Sequence, residues 1–153
     1  MEERKGAITF MKDPMTLIGP EVKVGDKAQD FEATKKDLSD FCLCELKGKT
    51  VVISVVPSID TPVCEEQTKI FNKEASDLKD VVILTISCDL PFAQANFCAA
   101  KGIDNLIMLS DYKAHDFGTK YGFLIKELML LARGVVIIDK EGVVKYVEYV
   151  PEA

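Results

Sequence analysis

Histidine is almost missing from this 153-residue chain, where His115 is the only one, and there is no tryptophan at all. One imidazole excludes a two-histidine metal site. It also leaves His115 as the sole base for any cysteine–histidine hydrolase, in a stretch that reads as an ordinary solvated helix. No apolar run approaches the roughly 18 residues of a membrane span, and Met1-Glu2-Glu3-Arg4-Lys5 leads into no secretory apolar region. The expectation is a cytoplasmic protein with no membrane partner. Basic excess is lacking too: 19 Lys and Arg stand against 25 Asp and Glu, a net charge of -6, which sets nucleic acid aside. No cysteines show Cys-x-x-Cys spacing. Lys47-Gly48-Lys49-Thr50 resembles the tail of a phosphate-binding loop, but Leu43 stands where the first glycine belongs and a strand follows where a helix should.

With 48% hydrophobic residues, the chain is sufficient for one domain with a proper core over residues 1–153, and residues 1–20 form an extension to it. Five cysteines, Cys42, Cys44, Cys64, Cys88 and Cys98, leave at least one unpaired within the chain. In a chain read as cytosolic, redox or metal chemistry ranks ahead of a disulfide framework. Cys42-Leu43-Cys44 would place two thiols on one face of a strand, but zinc takes four ligands, so no metal or cofactor is assigned.

Hydrophobic periodicity predicts the order of elements. Residues 50–56, Thr-Val-Val-Ile-Ser-Val-Val, read as a strand buried on both faces. A helix over 62–78 follows, with Val63, Ile70, Phe71, Ala75 and Leu78 on its apolar side. Then come a strand over 81–87, a helix over 91–101 opened by Pro91 and closed by Gly102, a short strand over 106–109 and a helix over 114–121. Gly134–Asp139 and Val143–Val150, joined by Lys140-Glu141-Gly142, read as a β-hairpin. Ala7–Lys12 and Met15–Ile18, broken at Asp13-Pro14, read as another, ahead of weak alternation over Phe31–Thr34 and a short element at Phe41–Leu46. A parallel half plus an antiparallel hairpin predicts an α/β thioredoxin-like fold, with a mixed central sheet flanked by helices and an N-terminal β-hairpin.

Chemistry concentrates where the strand over 50–56 gives way to the helix. Thr61 is a good N-cap, Pro62 fits the first helical position, and Cys64 falls at the third. There the orphan N–H groups and the positive end of the helix dipole favour a thiolate, the nucleophilic form of cysteine. With histidine so scarce, the best cation for such a thiolate is an arginine. Arg133, between Leu128-Met129-Leu130-Leu131-Ala132 and Gly134-Val135-Val136-Ile137-Ile138, lies at a strand start in apolar surroundings. A snorkelling arginine at a sheet edge would have the same spacing. For a second redox thiol, spacing alone leaves Cys88 and Cys98 equal.

These residues carry a resemblance. Pro57-x-x-x-Thr61-x-x-Cys64 is similar to the active-site pattern of the peroxiredoxin family. The string Ser54-Val55-Val56-Pro57-Ser58-Ile59-Asp60-Thr61-Pro62-Val63-Cys64 closely resembles its thiol peroxidase branch, the atypical two-cysteine peroxiredoxins. Ser87-Cys88-Asp89-Leu90-Pro91-Phe92-Ala93-Gln94, Phe97-Cys98 and Gly25-Asp26-Lys27-Ala28 match that branch as well. The likeness runs from about Thr16 to Val150. It implies a peroxidase of hydrogen peroxide and organic hydroperoxides. In it Cys64 is the peroxidatic cysteine, Cys98 the resolving one, Thr61 a hydrogen-bond partner of thiolate and peroxide, Arg133 the group that polarises the O–O bond, and Pro57 a shield against water. It further implies a Cys64–Cys98 disulfide reduced by thioredoxin, and a homodimer.

Two cysteines on different helices of a packed domain are expected to lie too far apart for a bond, so the turn carrying Cys64, the helix around Cys98, or both, should loosen on oxidation. Gln29 stands where the family usually has proline, and Cys42, Cys44 and Cys88 have no family role. Relatives continue into a C-terminal helix after Val150, and without it an apolar patch is expected to be exposed. The competing reading is a thioredoxin-like redox-sensing or binding module without efficient turnover. Thr61 and Arg133 together favour catalysis, since a sensor requires only a reactive thiol.

Overall fold

The computed structural model describes residues 1–75 and 80–152. It opens with a hairpin of β1 (Glu3–Phe10) and β2 (Asp13–Ile18), then β3 (Glu32–Lys35), β4 (Asp40–Cys42) and a 3₁₀ turn at Leu43–Leu46. Next come β5 (Thr50–Val55), α1 (Pro62–Ala75), β6 (Val81–Ser87), α2 (Pro91–Lys101), β7 (Ile107–Ser110) and α3 (Asp116–Tyr121). The chain ends with β8 (Leu124–Ile125), β9 (Leu130–Leu131), β10 (Gly134–Ile138) and β11 (Val144–Tyr149).

The central sheet has the order β11-β10-β5-β6-β7-β3-β4. β5, β6 and β7 are parallel, joined by the crossovers through α1 and α2, whereas β10 runs antiparallel to β5 and β3 antiparallel to β7. This is the mixed sheet of a thioredoxin-like fold. Its parallel strands are mostly apolar because both faces are covered: Ile53, Val55, Leu84 and Ile86 are fully buried, and so are Ser54 and Thr85 between them. Two buried clusters result. The larger contains a ring of stacked and edge-on aromatics, Phe31, Phe117, Tyr121 and Phe123, and the smaller consists of Val56, Ile59, Cys64, Cys98, Ile103 and Met108. Among the described residues no helix is long and apolar enough to cross a membrane.

The structure corrects several expectations. The N-terminal turn is Met11-Lys12, both at positive φ (50° and 69°), while Pro14 lies inside β2 opposite Thr9. A two-residue turn of that conformation matches the twist of its strands. Proline is accommodated because Thr9 sends its own N–H to Pro151 O at 2.7 Å. Helix α3 begins at Asp116, with His115 in the left-handed region at its N-cap rather than in the helix. A second sheet, β1-β2-β8-β9, was not anticipated, since strands of two residues leave no periodicity to read.

The face of α1 also differs from expectation. Val63 and Ile70 are 62% and 53% exposed, whereas Cys64 and Thr68 are fully buried. Their i, i+4 spacing puts one small polarisable and one small polar side chain on the core side. Thr68 is satisfied there by donating to Cys64 O at 2.9 Å. Residues 76–78 of the expected helix lie outside the described residues.

Candidate active site

The turn from β5 into α1 is built by local capping. Thr61 Oγ1 accepts the Cys64 N–H at 3.2 Å and donates to Ser58 O at 3.4 Å, so one of the first free amides of the helix is satisfied by the residue expected to do it. That use leaves the hydroxyl on the backbone. Pro57 is buried at the head of the same loop.

The loop is held from beneath by Asp89. Its carboxylate accepts the Ser58 hydroxyl at 2.8 Å, the Ile59 N–H at 2.9 Å and the Ser87 hydroxyl at 2.6 Å. Gln94, fully buried on α2, donates to Ser87 Oγ at 3.0 Å and Leu109 O at 2.7 Å. One network therefore connects the loop before Cys64 with the helix that carries Cys98.

Arg133 reaches the thiol from across the sheet. Gly134 pairs with Val55, so the residue just before β10 faces the chain leaving β5. Gly134 permits this because a Cβ there would collide with Glu148 O and the Phe123 ring. Arg133 Nη2 lies 3.2 Å from Cys64 Sγ, and Nη1 donates to Gln67 Oε1 at 3.0 Å. Gln67 in turn donates to the buried Ser54 hydroxyl at 2.7 Å. Among the described residues no carboxylate pairs with Arg133. Its charge is directed at the sulfur, which stands in the first turn of α1.

The remaining cysteines separate cleanly. Cys98, 5% exposed, packs in the same small cluster as Cys64, and both thiols are free. Burial pushes the Cys98 thiol up from its ordinary value, with Lys36 pulling weakly the other way. Cys88 packs against the larger core instead, and burial, reinforced by Asp111 and Asp89, pushes it to about 12. Cys42 and Cys44 are joined to each other. Thr61, Cys64 and Arg133 thus come together, with Cys98 in the same buried cluster as Cys64; Pro57 is buried in the loop before them, and Cys88 stands apart.

Sequence reasoning missed Gln67, Ser54, Asp89 and Gln94. Ser54, Asp89 and Gln94 lie in the strings that carry the resemblance but were given no role, and Gln67 left a positional signal, being one helical turn after Cys64.

A thiol buried in the first turn of a helix, after a parallel strand and against a guanidinium that no carboxylate among the described residues neutralises, defines a thiol-based oxidoreductase on a thioredoxin-like sheet. The redoxin family profile matches residues 23–153, and the chain belongs to that family. Within it the chain lies among the thiol peroxidases, which makes it a peroxidase by class. It is 57% identical to the thiol peroxidase of Oceanobacillus iheyensis over 145 residues, 95% of this chain and 88% of that one. It is 54% identical to the thiol peroxidase of Bacillus subtilis, over 95% of this chain and 87% of that one. Among solved structures, a peroxiredoxin-like protein from Aquifex aeolicus superposes with a TM-score of 0.90 at 44% identity, covering 96% of this chain and 87% of that one.

Proposed function

We propose that this thiol peroxidase reduces hydrogen peroxide and organic hydroperoxides through Cys64 and Cys98, and that thioredoxin restores it. The observation that carries the assignment of residues is the Arg133 guanidinium at 3.2 Å from the Cys64 sulfur, in a first helical turn capped by Thr61.

The Cys64 thiolate attacks the nearer peroxide oxygen and the O–O bond breaks. The leaving alkoxide or hydroxide takes a proton and Cys64 becomes a sulfenic acid. Negative charge grows on the leaving oxygen, so a guanidinium already fixed beside the sulfur lowers the barrier without reorganising. Pro57, buried at the loop head, keeps water from the sulfenic acid. The Cys98 thiolate then attacks the Cys64 sulfur, expelling the sulfenic oxygen as water and forming the Cys64–Cys98 disulfide. An external dithiol reduces that bond by two successive exchanges. The two cysteines sit on different helices, α1 and α2, and both are buried, so the first turn of α1, α2 or both open before the bond closes.

The reading includes one thioredoxin-like domain, a cytoplasmic location and a homodimer. The exposed Val63 and Ile70 on α1 support the homodimer as an apolar strip that a second copy would cover. The test is peroxide consumption with thioredoxin, thioredoxin reductase and NADPH on the parent chain, Cys64→Ser and Cys98→Ser, followed by mass analysis of the cysteines. Turnover lost in both variants, with a Cys64–Cys98 disulfide in the parent, is the expected result. Turnover surviving Cys98→Ser would move resolution to another thiol.

A further inference from the structure

Two features stand outside the peroxidase site and lie together: the Cys42–Cys44 pair and the lysines of Lys47-Gly48-Lys49. A disulfide joins Cys42, the last residue of β4, to Cys44 in the 3₁₀ turn, with Cα atoms 5.1 Å apart. That separation is within the span such bonds use. The turn itself is held by carboxylates rather than by sulfur. Glu45 Oε2 accepts the Cys42 N–H at 3.1 Å, and Asp30 Oδ1 accepts the Cys44 N–H at 3.2 Å. With the sulfur bond open these contacts still keep the two cysteines adjacent, so opening and reclosing ask little of the backbone.

Access favours one sulfur. Cys44 is exposed and Cys42 half-buried, and β4 is the last strand of its sheet. Exchange requires a thiolate to reach a disulfide sulfur, and exposed disulfides are the labile ones.

Cys44 also lines a groove with an apolar floor, Leu43 and Leu46, and with Lys27, Lys47, Lys49 and Lys140 around it. None of these four lysines forms an ion pair among the described residues. The acidic groups of the same groove are Asp30, Asp139 and Glu141. Asp30 is engaged with the Cys44 amide, and Asp139 pairs with Lys145 at 3.5 Å. Glu141 has no ion pair among the described residues either, and an Asp30 carboxylate oxygen lies within 4.8 Å of both sulfurs, so four lysines against three carboxylates leave the groove a positive excess of one that, on a chain of net charge -6, suits an anionic thiol. The groove includes Lys49 and Val51 at the start of β5, whereas Cys64 follows the end of that strand. The two places thus stand toward opposite ends of β5, whose six residues span about 17 Å at about 3.3 Å per step.

We propose that Cys42–Cys44 is a second redox couple, which exchanges disulfide with a low-molecular-weight thiol carrying carboxylates recognised by the groove lysines. The incoming thiolate RS⁻ attacks Cys44 Sγ, the Cys42–Cys44 bond breaks, and Cys42 leaves with its electron pair and takes a proton from water. A second RS⁻ attacks the R sulfur of the mixed disulfide and expels Cys44. Two RSH become RSSR, while the pair gains two electrons and two protons. In the reverse direction RSSR is the oxidant.

The couple is tested on the oxidised Cys64→Ser/Cys98→Ser chain, which removes the peroxidase thiols. It is mixed with glutathione or, separately, with cysteamine, quenched by alkylation, and read by mass spectrometry of the peptide carrying Cys42 and Cys44. A glutathione adduct on Cys44 followed by the dithiol is expected, about tenfold faster than with cysteamine at equal thiolate concentration and low salt. Lys47→Gln/Lys49→Gln should remove most of that preference, and Cys42→Ser/Cys44→Ser in the otherwise unaltered chain should keep peroxide turnover. A pair that resists both thiols would overturn the couple. So would stoichiometric zinc held by Asp30, Cys42 and Cys44 in place of exchange. Equal rates with the two probes would overturn recognition by the lysines.

Discussion

Arg133 and Cys64 are 69 positions apart in sequence, yet the guanidinium of one meets the sulfur of the other at 3.2 Å. The contact is a product of sheet register: β10 lies against β5 with Gly134 opposite Val55, which puts Arg133 beside the loop that leads to Cys64. The same guanidinium spans two acceptors, Sγ of Cys64 and Oε1 of Gln67. A planar fork can do this, while an ammonium on a flexible stem serves only as a point charge.

Replacing Arg133 by Met should therefore slow the reaction of Cys64 with hydrogen peroxide by about 10²- to 10³-fold, the cost of removing one fixed donor from a developing anion. Arg133→Lys should recover only part of this. Stopped-flow measurement of the second-order rate constant is the check, and a Lys variant at the parent rate would reduce Arg133 to a mere source of charge.

Gln67 acts through Arg133. Gln67→Leu removes the acceptor that orients the guanidinium, and the peroxide step should slow about tenfold, the equivalent of one hydrogen bond to a charged group at about 1.5 kcal/mol. A purely structural role would shift the melting temperature and leave that rate constant alone.

The second step should depend on pH differently from the first. Burial raises the Cys98 thiol, so its thiolate fraction is small near neutrality and grows as pH rises. Conversion of the Cys64 sulfenic acid to the disulfide should then climb by about tenfold per pH unit across the neutral to mildly alkaline range. Quenched-flow alkylation reads this directly. A flat profile would instead make the opening of α1 or α2 the limiting event, and hydrogen exchange over residues 57–64 and 91–101 would report that opening.

Asp111 gives the fold a pH dependence of its own. It is 3% exposed, and burial raises its carboxyl to about 6 although the Gly118 and Phe117 amides pull it down. Between about 4 and 6 the folded chain holds a proton that the unfolded chain has released. Asp111 therefore lowers stability as pH rises through that window, by on the order of 2 to 3 kcal/mol. Asp111→Asn removes this contribution. Denaturant midpoints at pH 4 and pH 7 should show the variant losing less stability than the parent on going to pH 7; equal slopes would mean that Asp111 titrates as an ordinary carboxyl.

Much of this was legible in the sequence because it depends on neighbours in the chain. The strand over 81–87 and the helix over 91–101 appear as read, since a run rich in β-branched residues and a Pro-to-Gly frame are local signals. Thr61 caps the helix as its type and spacing require. The apolar face of α1 was misassigned for an equally physical reason. Val63 and Ile70 are two of the hydrophobic residues of the helix, with Phe71 only half-buried, and a hydrophobic pattern points inward only when nothing else claims the core, whereas here the fully buried positions belong to Cys64 and Thr68.

Cysteine pairing shows the same division. Spacing left Cys88 and Cys98 equal, and packing separates them, Cys98 into the cluster that holds Cys64 and Cys88 into the larger core beside two carboxylates.

By itself the sequence determined that a cysteine would stand in the first turn of a helix behind a buried strand, because capping and periodicity act over a few residues. The resemblance pointed to Arg133 and Cys98, but only the tertiary structure brought that guanidinium to the sulfur, set Gln67 against it and packed Cys98 into the cluster that holds Cys64. Those contacts span tens of positions and exist only once strand order and register bring separate segments to one end of a single sheet.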